Sequence, residues 1–131
     1  MVLVSGCGGK ETRPIPPEVS IADRAIEDVY KIKEAFEEGD LGPVKSVLSE
    51  DIYKILKNQR EKAKNVKLNF KTYWVEITPE KTTVFVEWDA LWTEEEGTEI
   101  KGSGIGGFQM VGHPPKLVKI LRDNPFLKPG I

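Results

Sequence analysis

Cysteine and histidine are almost absent: Cys7 and His113 are the single examples of each in 131 residues. A lone cysteine closes no internal disulfide, and a lone histidine excludes a metal site built on imidazoles. His113 also precedes Pro114 and Pro115 in what reads as a hairpin turn, so a Ser-His-Asp triad would have to form at a rim. Excess basic charge is missing too. With 19 Lys and Arg against 21 Asp and Glu the formal net charge is −2, which leaves no basic stripe to bind nucleic acid. No run reaches the roughly 18–20 apolar residues of a membrane-spanning helix. No repeat at a solenoid or propeller period is present. What remains suffices for one domain, because a chain of this length buries a core without metal or disulfide staples.

Hydrophobic periodicity then orders the chain. Ser20 is a good helix N-cap, with Asp23 three residues on. Ala22, Ala25, Ile26, Val29, Ile32 and Phe36 follow at helical spacing, and Gly39 stops the helix. Asp40 caps a short second helix through Pro43, Val44, Val47 and Leu48. Ser49 opens a third, with Ile52, Tyr53, Ile55 and Leu56 as its apolar side. Near Asn65 the period changes to two. Val66, Leu68 and Phe70 alternate with polar residues; Val75 and Ile77 are then apolar on the opposite parity. A phase slip inside one strand predicts a β-bulge and a bent sheet. Thr78–Lys81 turns into Val84, Val86, Trp88, Ala90 and Trp92, the cleanest alternation in the chain. Glu94–Gly97 turns into a third strand ending at Val111, and Gly112–Pro115 into a fourth, Lys116 to Leu121. Helices followed by four antiparallel strands is an α+β layout.

Over about Ser20 to Phe126 this layout resembles the nuclear-transport-factor-2-like superfamily. The carriers are the opening helix, the helix pair around Leu48-Ser49-Glu50-Asp51-Ile52, the Val84-Phe85-Val86-Glu87-Trp88 strand and the closing Asp123-Asn124-Pro125-Phe126. The resemblance implies N-terminal helices on a strongly bent four-stranded sheet, shaped as a cone. It also implies either a cofactor-free cavity enzyme or a non-catalytic carrier or docking domain, since members include isomerases, dehydratases and hydrolases as well as binding modules. Paired subunits meet on the outer sheet face in many of them, so a homodimer is a possible state of this chain.

The N-terminus carries a second resemblance. Val4-Ser5-Gly6-Cys7 is similar to the lipobox of bacterial lipoproteins, in which small residues precede the processed cysteine. That likeness implies a Cys7 thiol bearing a diacylglycerol, and two or three acyl chains hold firmly because each buried methylene contributes about 0.8 kcal/mol. Only six residues precede Cys7, fewer than such a signal needs, so this sequence is expected to start inside the signal. Residues 8–19 are polar, glycine-led and then proline-rich, as in a semi-extended tether, and residues 20–131 form the domain. With Gly8 after the cysteine, the likeness implies the outer membrane, facing the periplasm, as the location in a bacterial cell envelope. The membrane partner would be met through the lipid alone.

Constellations for chemistry are sparse. Gly102-Ser103-Gly104-Ile105-Gly106-Gly107 contains G-x-G-x-x-G, but a strand follows it where a dinucleotide site needs a helix, so close approach of backbone in a curled sheet explains it better. Glu94-Glu95-Glu96 lacks the alternating ligands of a calcium loop. No metal or cofactor is expected. The candidate acids for a cavity base are Glu76, whose facing the phase slip leaves open, and Asp89, which shares the polar parity of Glu87. Tyr30, Tyr53, Trp74, Trp88 and Trp92 are the candidates for contact with an apolar small molecule or a protein partner. For Trp88 and Trp92, on the apolar row, core packing is the default reading, with a pocket wall or a subunit interface as the alternatives. The expected role is a binding or assembly module with an apolar cavity; the alternative is a cofactor-free isomerase or hydrolase.

Overall fold

The computed structural model describes residues 17–129. Its order is α1 (Pro17–Glu38), a 3-10 turn (Gly42–Val47), α2 (Glu50–Arg60) and four strands, β1 (Asn65–Ile77), β2 (Thr82–Thr93), β3 (Glu99–Val111) and β4 (Lys116–Arg122). The strands form an open antiparallel meander in chain order. The α+β layout expected from periodicity is therefore present. One start differs: α1 begins at Pro17, three residues before the expected cap Ser20, so residues 17–19 are helix rather than tether. Proline suits a first helical turn, where its missing N–H has no intrahelical partner anyway.

Local chemistry fixes the helix ends. Gly39 takes φ +79°, a left-handed conformation, and its N–H donates to the Phe36 carbonyl at 3.1 Å, ending α1. Ser49 caps α2 by accepting from the Ile52 N–H at 3.2 Å. Arg60, at the end of α2, reaches back to α1. Its Nε donates to the Phe36 carbonyl at 2.7 Å, alongside the Gly39 N–H, and Nη2 to the Glu37 carbonyl at 3.1 Å, so that carbonyls of the last turn of α1 are met from α2. Burial lowers the Arg60 pKa from its ordinary value.

The phase slip in β1 is a register shift between Thr72 and Trp74 in its pairing with β2. Tyr73 is the extra residue. Before it, Val66 and Leu68 face the helices; after it, Val75 takes that face and packs against the core. One slipped residue thus keeps one face apolar along a 13-residue strand.

α1 lays Val29, Ile32 and Phe36 on the inner sheet face, against Val84, Val86 and Trp92 of β2 and Phe108 and Met110 of β3. The chain after β4 completes this core. Arg122 takes φ +61°, uncommon for a residue with a side chain, and turns the chain back over β3. Asp123 then lies on β3: its N–H donates to the Ile105 carbonyl at 3.0 Å, and its Oδ2 accepts from the Ile105 N–H at 3.1 Å. Such an approach requires glycine beneath, since a Cβ at Gly106 would stand 2.5 Å from the Asp123 carbonyl oxygen. Within the glycine run, Gly106 thus serves close backbone approach. Phe126 follows and is fully buried, its ring centroid 4.8 Å from Phe36 and 5.9 Å from Phe108. Between α1 and the sheet, aromatic rings pack against one another.

Candidate functional site

An antiparallel meander brings alternate turns to the same end. Here the β1–β2 turn and the β3–β4 turn stand together beside the first turns of α1, and between them lies a cleft of about 300 Å³. That volume is at the lower end of ligand sites, roughly 300–1,000 Å³. Its apolar lining comes from Ile21 and Ala25 of α1, Ile77 of β1, Met110 of β3 and the prolines Pro79 and Pro115. Ala25 and Met110 are buried, and Ile21 is 44 % exposed, a large apolar side chain left partly open to solvent.

Charge gathers around this apolar lining. Arg24, Lys81 and His113 contribute to the walls, with Glu80 as the one acid among them. The walls are held by their own turns. Thr78 Oγ1 accepts from the Lys81 N–H at 3.2 Å, and the Thr78 N–H donates to the Lys81 carbonyl at 2.9 Å. Gly112 takes φ +98°, which favours glycine there. One helical turn beyond Arg24 is Asp28. Its Oδ2 lies 3.7 Å from Arg24 Nε, an ion pair too long for a hydrogen bond. The Asp28 side chain is 5 % exposed, and Oδ2 has no hydrogen-bond partner. Burial pushes the Asp28 carboxyl up from its ordinary pKa, against the opposing pull of the Arg24 and Lys31 charges.

The residues singled out from sequence are distributed elsewhere. Trp88 and Trp92 are core, 7 % and 0 % exposed, and Trp88 Nε1 donates to the Asp123 carbonyl at 3.0 Å. Tyr30 is half-buried and donates to the Phe70 carbonyl at 3.0 Å. Tyr53 is half-buried with the Lys45 ammonium 5.0 Å from its ring centroid. Trp74 is 60 % exposed and Tyr73 52 %. Trp74 pairs in register with Phe85, whose ring centroid is 6.4 Å from that of Tyr73, so aromatic side chains cluster on the outer sheet face. Glu76 and Asp89 are exposed. Asp89 stands in a cross-strand row with Asn69 and Ser103 beside a shallow outer trough, apart from the cleft. Cys7 and the part of the expected tether before residue 17 lie outside the described residues.

None of these candidates lines the cleft. Sequence reading passed over Ile21, Arg24, Lys81 and Met110 because they belong to no motif and come from three separated stretches. His113, a turn residue by sequence, is exposed in that turn and also borders the cleft. The available signal was topological: in a four-strand meander the first and third turns share an end. Among the described residues there is no cluster of three metal-ligating side chains, and no helix is long and apolar enough to cross a membrane. The chain matches no family model, no curated protein and no solved structure.

Proposed function

We propose that the chain is a non-catalytic binding module that takes a small apolar molecule in the cleft between the start of α1 and the two sheet-end turns. The observation that carries this reading is apolar lining left partly open beside a filled core. Ile21 remains 44 % exposed, while Phe126 is 0 % exposed between α1 and the sheet. Fully burying an exposed isoleucine is worth about 1.5–3 kcal/mol, and a ligand that covers the open 44 % of Ile21 gains a part of that. The nuclear-transport-factor-2-like cone belongs to the same reading, supported by the element order and the bulge in β1. So does a lipid anchor at Cys7, which would hold the module on a bacterial envelope membrane; that part rests on the Val4–Cys7 sequence.

The test is binding of octan-1-ol, a neutral apolar probe, by the full chain and by Ile21→Asp. The expected result is saturable binding that falls about tenfold or more in the variant, a loss of at least about 1.4 kcal/mol. No binding by the full chain overturns the reading.

A second reading is assembly through the outer sheet face, favoured by the exposure of Tyr73 and Trp74 beside Phe85. Its partner would be another protein or a second copy, and sedimentation of Trp74→Ser against the unaltered chain tests it. The enzymatic alternative, an isomerase or hydrolase using Glu76 or Asp89, has less support. Both acids are exposed and outside the cleft, so neither stands beside a ligand bound there.

A further inference from the structure

We infer that the cleft selects an amphipathic carboxylate, its apolar tail lying on Ile21, Ala25 and Met110 and its carboxylate meeting the guanidinium of Arg24. This rests on the binding reading above and adds the chemistry of the ligand's head. Three observations carry it.

First, the lining has both characters in one small space. A buried apolar surface from Ala25 and Met110 continues into walls carrying Arg24, Lys81 and His113 against the single acid Glu80. A purely apolar ligand would leave the Arg24 and Lys81 charges without a role, while a purely ionic one would leave Ile21 uncovered.

Second, Arg24 is held but not consumed. Its side chain is 58 % exposed, and its ion-pair partner among the described residues is Asp28, at 3.7 Å from Nε. The two terminal nitrogens of a guanidinium form a planar fork that matches a carboxylate with two parallel hydrogen bonds.

Third, Asp28 is buried one turn farther along the helix, where its charge attracts the guanidinium without a close hydrogen bond. Asp28 is thus a positioning residue: it restrains Arg24 from behind. The remaining charged groups that act on Asp28 are Lys31 and Glu27, of opposite sign, while Glu80 stands on the opposite wall of the cleft.

The experiment compares octanoate with octan-1-ol by calorimetry on the full chain, where the two probes differ in the head group. Octanoate is expected to bind about tenfold more tightly, an advantage that shrinks as salt is raised. Arg24→Gln alone would leave Asp28 buried without its partner, so the double variant Arg24→Gln/Asp28→Asn is the informative one. It is expected to lose the preference for octanoate, so that its affinities for the two probes converge. Equal affinity for the two probes overturns the inference and leaves the binding reading standing. So does a preference that survives in the double variant. Failure of both probes to bind removes the binding reading itself.

Discussion

Glu37 reaches from α1 to the backbone N–H of Leu68 and accepts from it at 2.7 Å. β1 is an edge strand, pairing with β2 alone, so this N–H belongs to the side that would otherwise be open. Two residues on, Tyr30 donates to the Phe70 carbonyl at 3.0 Å, and Lys33 steadies Glu37 from one turn away at 3.0 Å. Side chains of α1 thereby occupy groups on which a foreign strand could pair. Glu37→Ala is expected to cost about 1–3 kcal/mol, the penalty for a part-buried donor left unmet. Amide exchange should quicken at Leu68 in that variant, with Tyr30→Phe costing about 1 kcal/mol. Unchanged exchange at Leu68 would contradict the assignment.

The tail is part of the core. Phe126→Ala removes a ring packed on Phe36 and Phe108 and is expected to cost about 3–5 kcal/mol in urea unfolding. Its neighbour Leu127 is 44 % exposed, and Leu127→Ala should stay within about 0.5 kcal/mol.

The glycines of β3 are required singly rather than as a motif. Gly106→Ala places a Cβ 2.5 Å from the Asp123 carbonyl oxygen, so backbone must shift, at an expected cost of about 1–3 kcal/mol. Ser103, exposed on the same strand, tolerates alanine within about 0.5 kcal/mol. Equal effects at the two positions would remove the close-approach explanation.

Asp28 gives the fold a pH dependence of defined sign. Burial raises its folded pKa above its unfolded value, so its contribution to stability is fully present below the ordinary carboxylate range. That contribution is lost as pH rises through the raised folded value. Asp28→Asn cannot ionise. Relative to the unaltered chain, its stability should therefore improve as pH climbs from the unfolded toward the folded pKa, and chemical unfolding at a series of pH values measures this. A difference that stays flat over that window would contradict a buried, titrating Asp28.

Periodicity made much of the fold legible. The change from helical to alternating spacing near Asn65, the cap at Ser49 and the phase slip before Val75 each have a local cause, and each is where the residues indicate. Other features depend on contacts between distant residues. Asp123-Asn124-Pro125-Phe126 has no period, so nothing local says that Phe126 will fill the space under the sheet. Trp74 follows the bulge, and its facing depended on whether Thr72, Tyr73 or Trp74 was the inserted residue. The start of α1 depended on a proline whose preference for first helical turns competes with its preference for extended linkers. The cleft was hidden for a different reason. It draws on residues 20–25, 77–82 and 110–115, which meet through strand order and share no spacing.

Ligand is expected to meet the cleft at the sheet end, not the space between α1 and the sheet. Backbone amide shifts of the full chain, followed by nuclear magnetic resonance during titration with octanoate, test it most directly. The largest shifts are expected at Ile21, Arg24, Ala25, Lys81 and Met110. Largest shifts at Phe70, Phe108 and Phe126, or at Trp74 and Phe85, would contradict it.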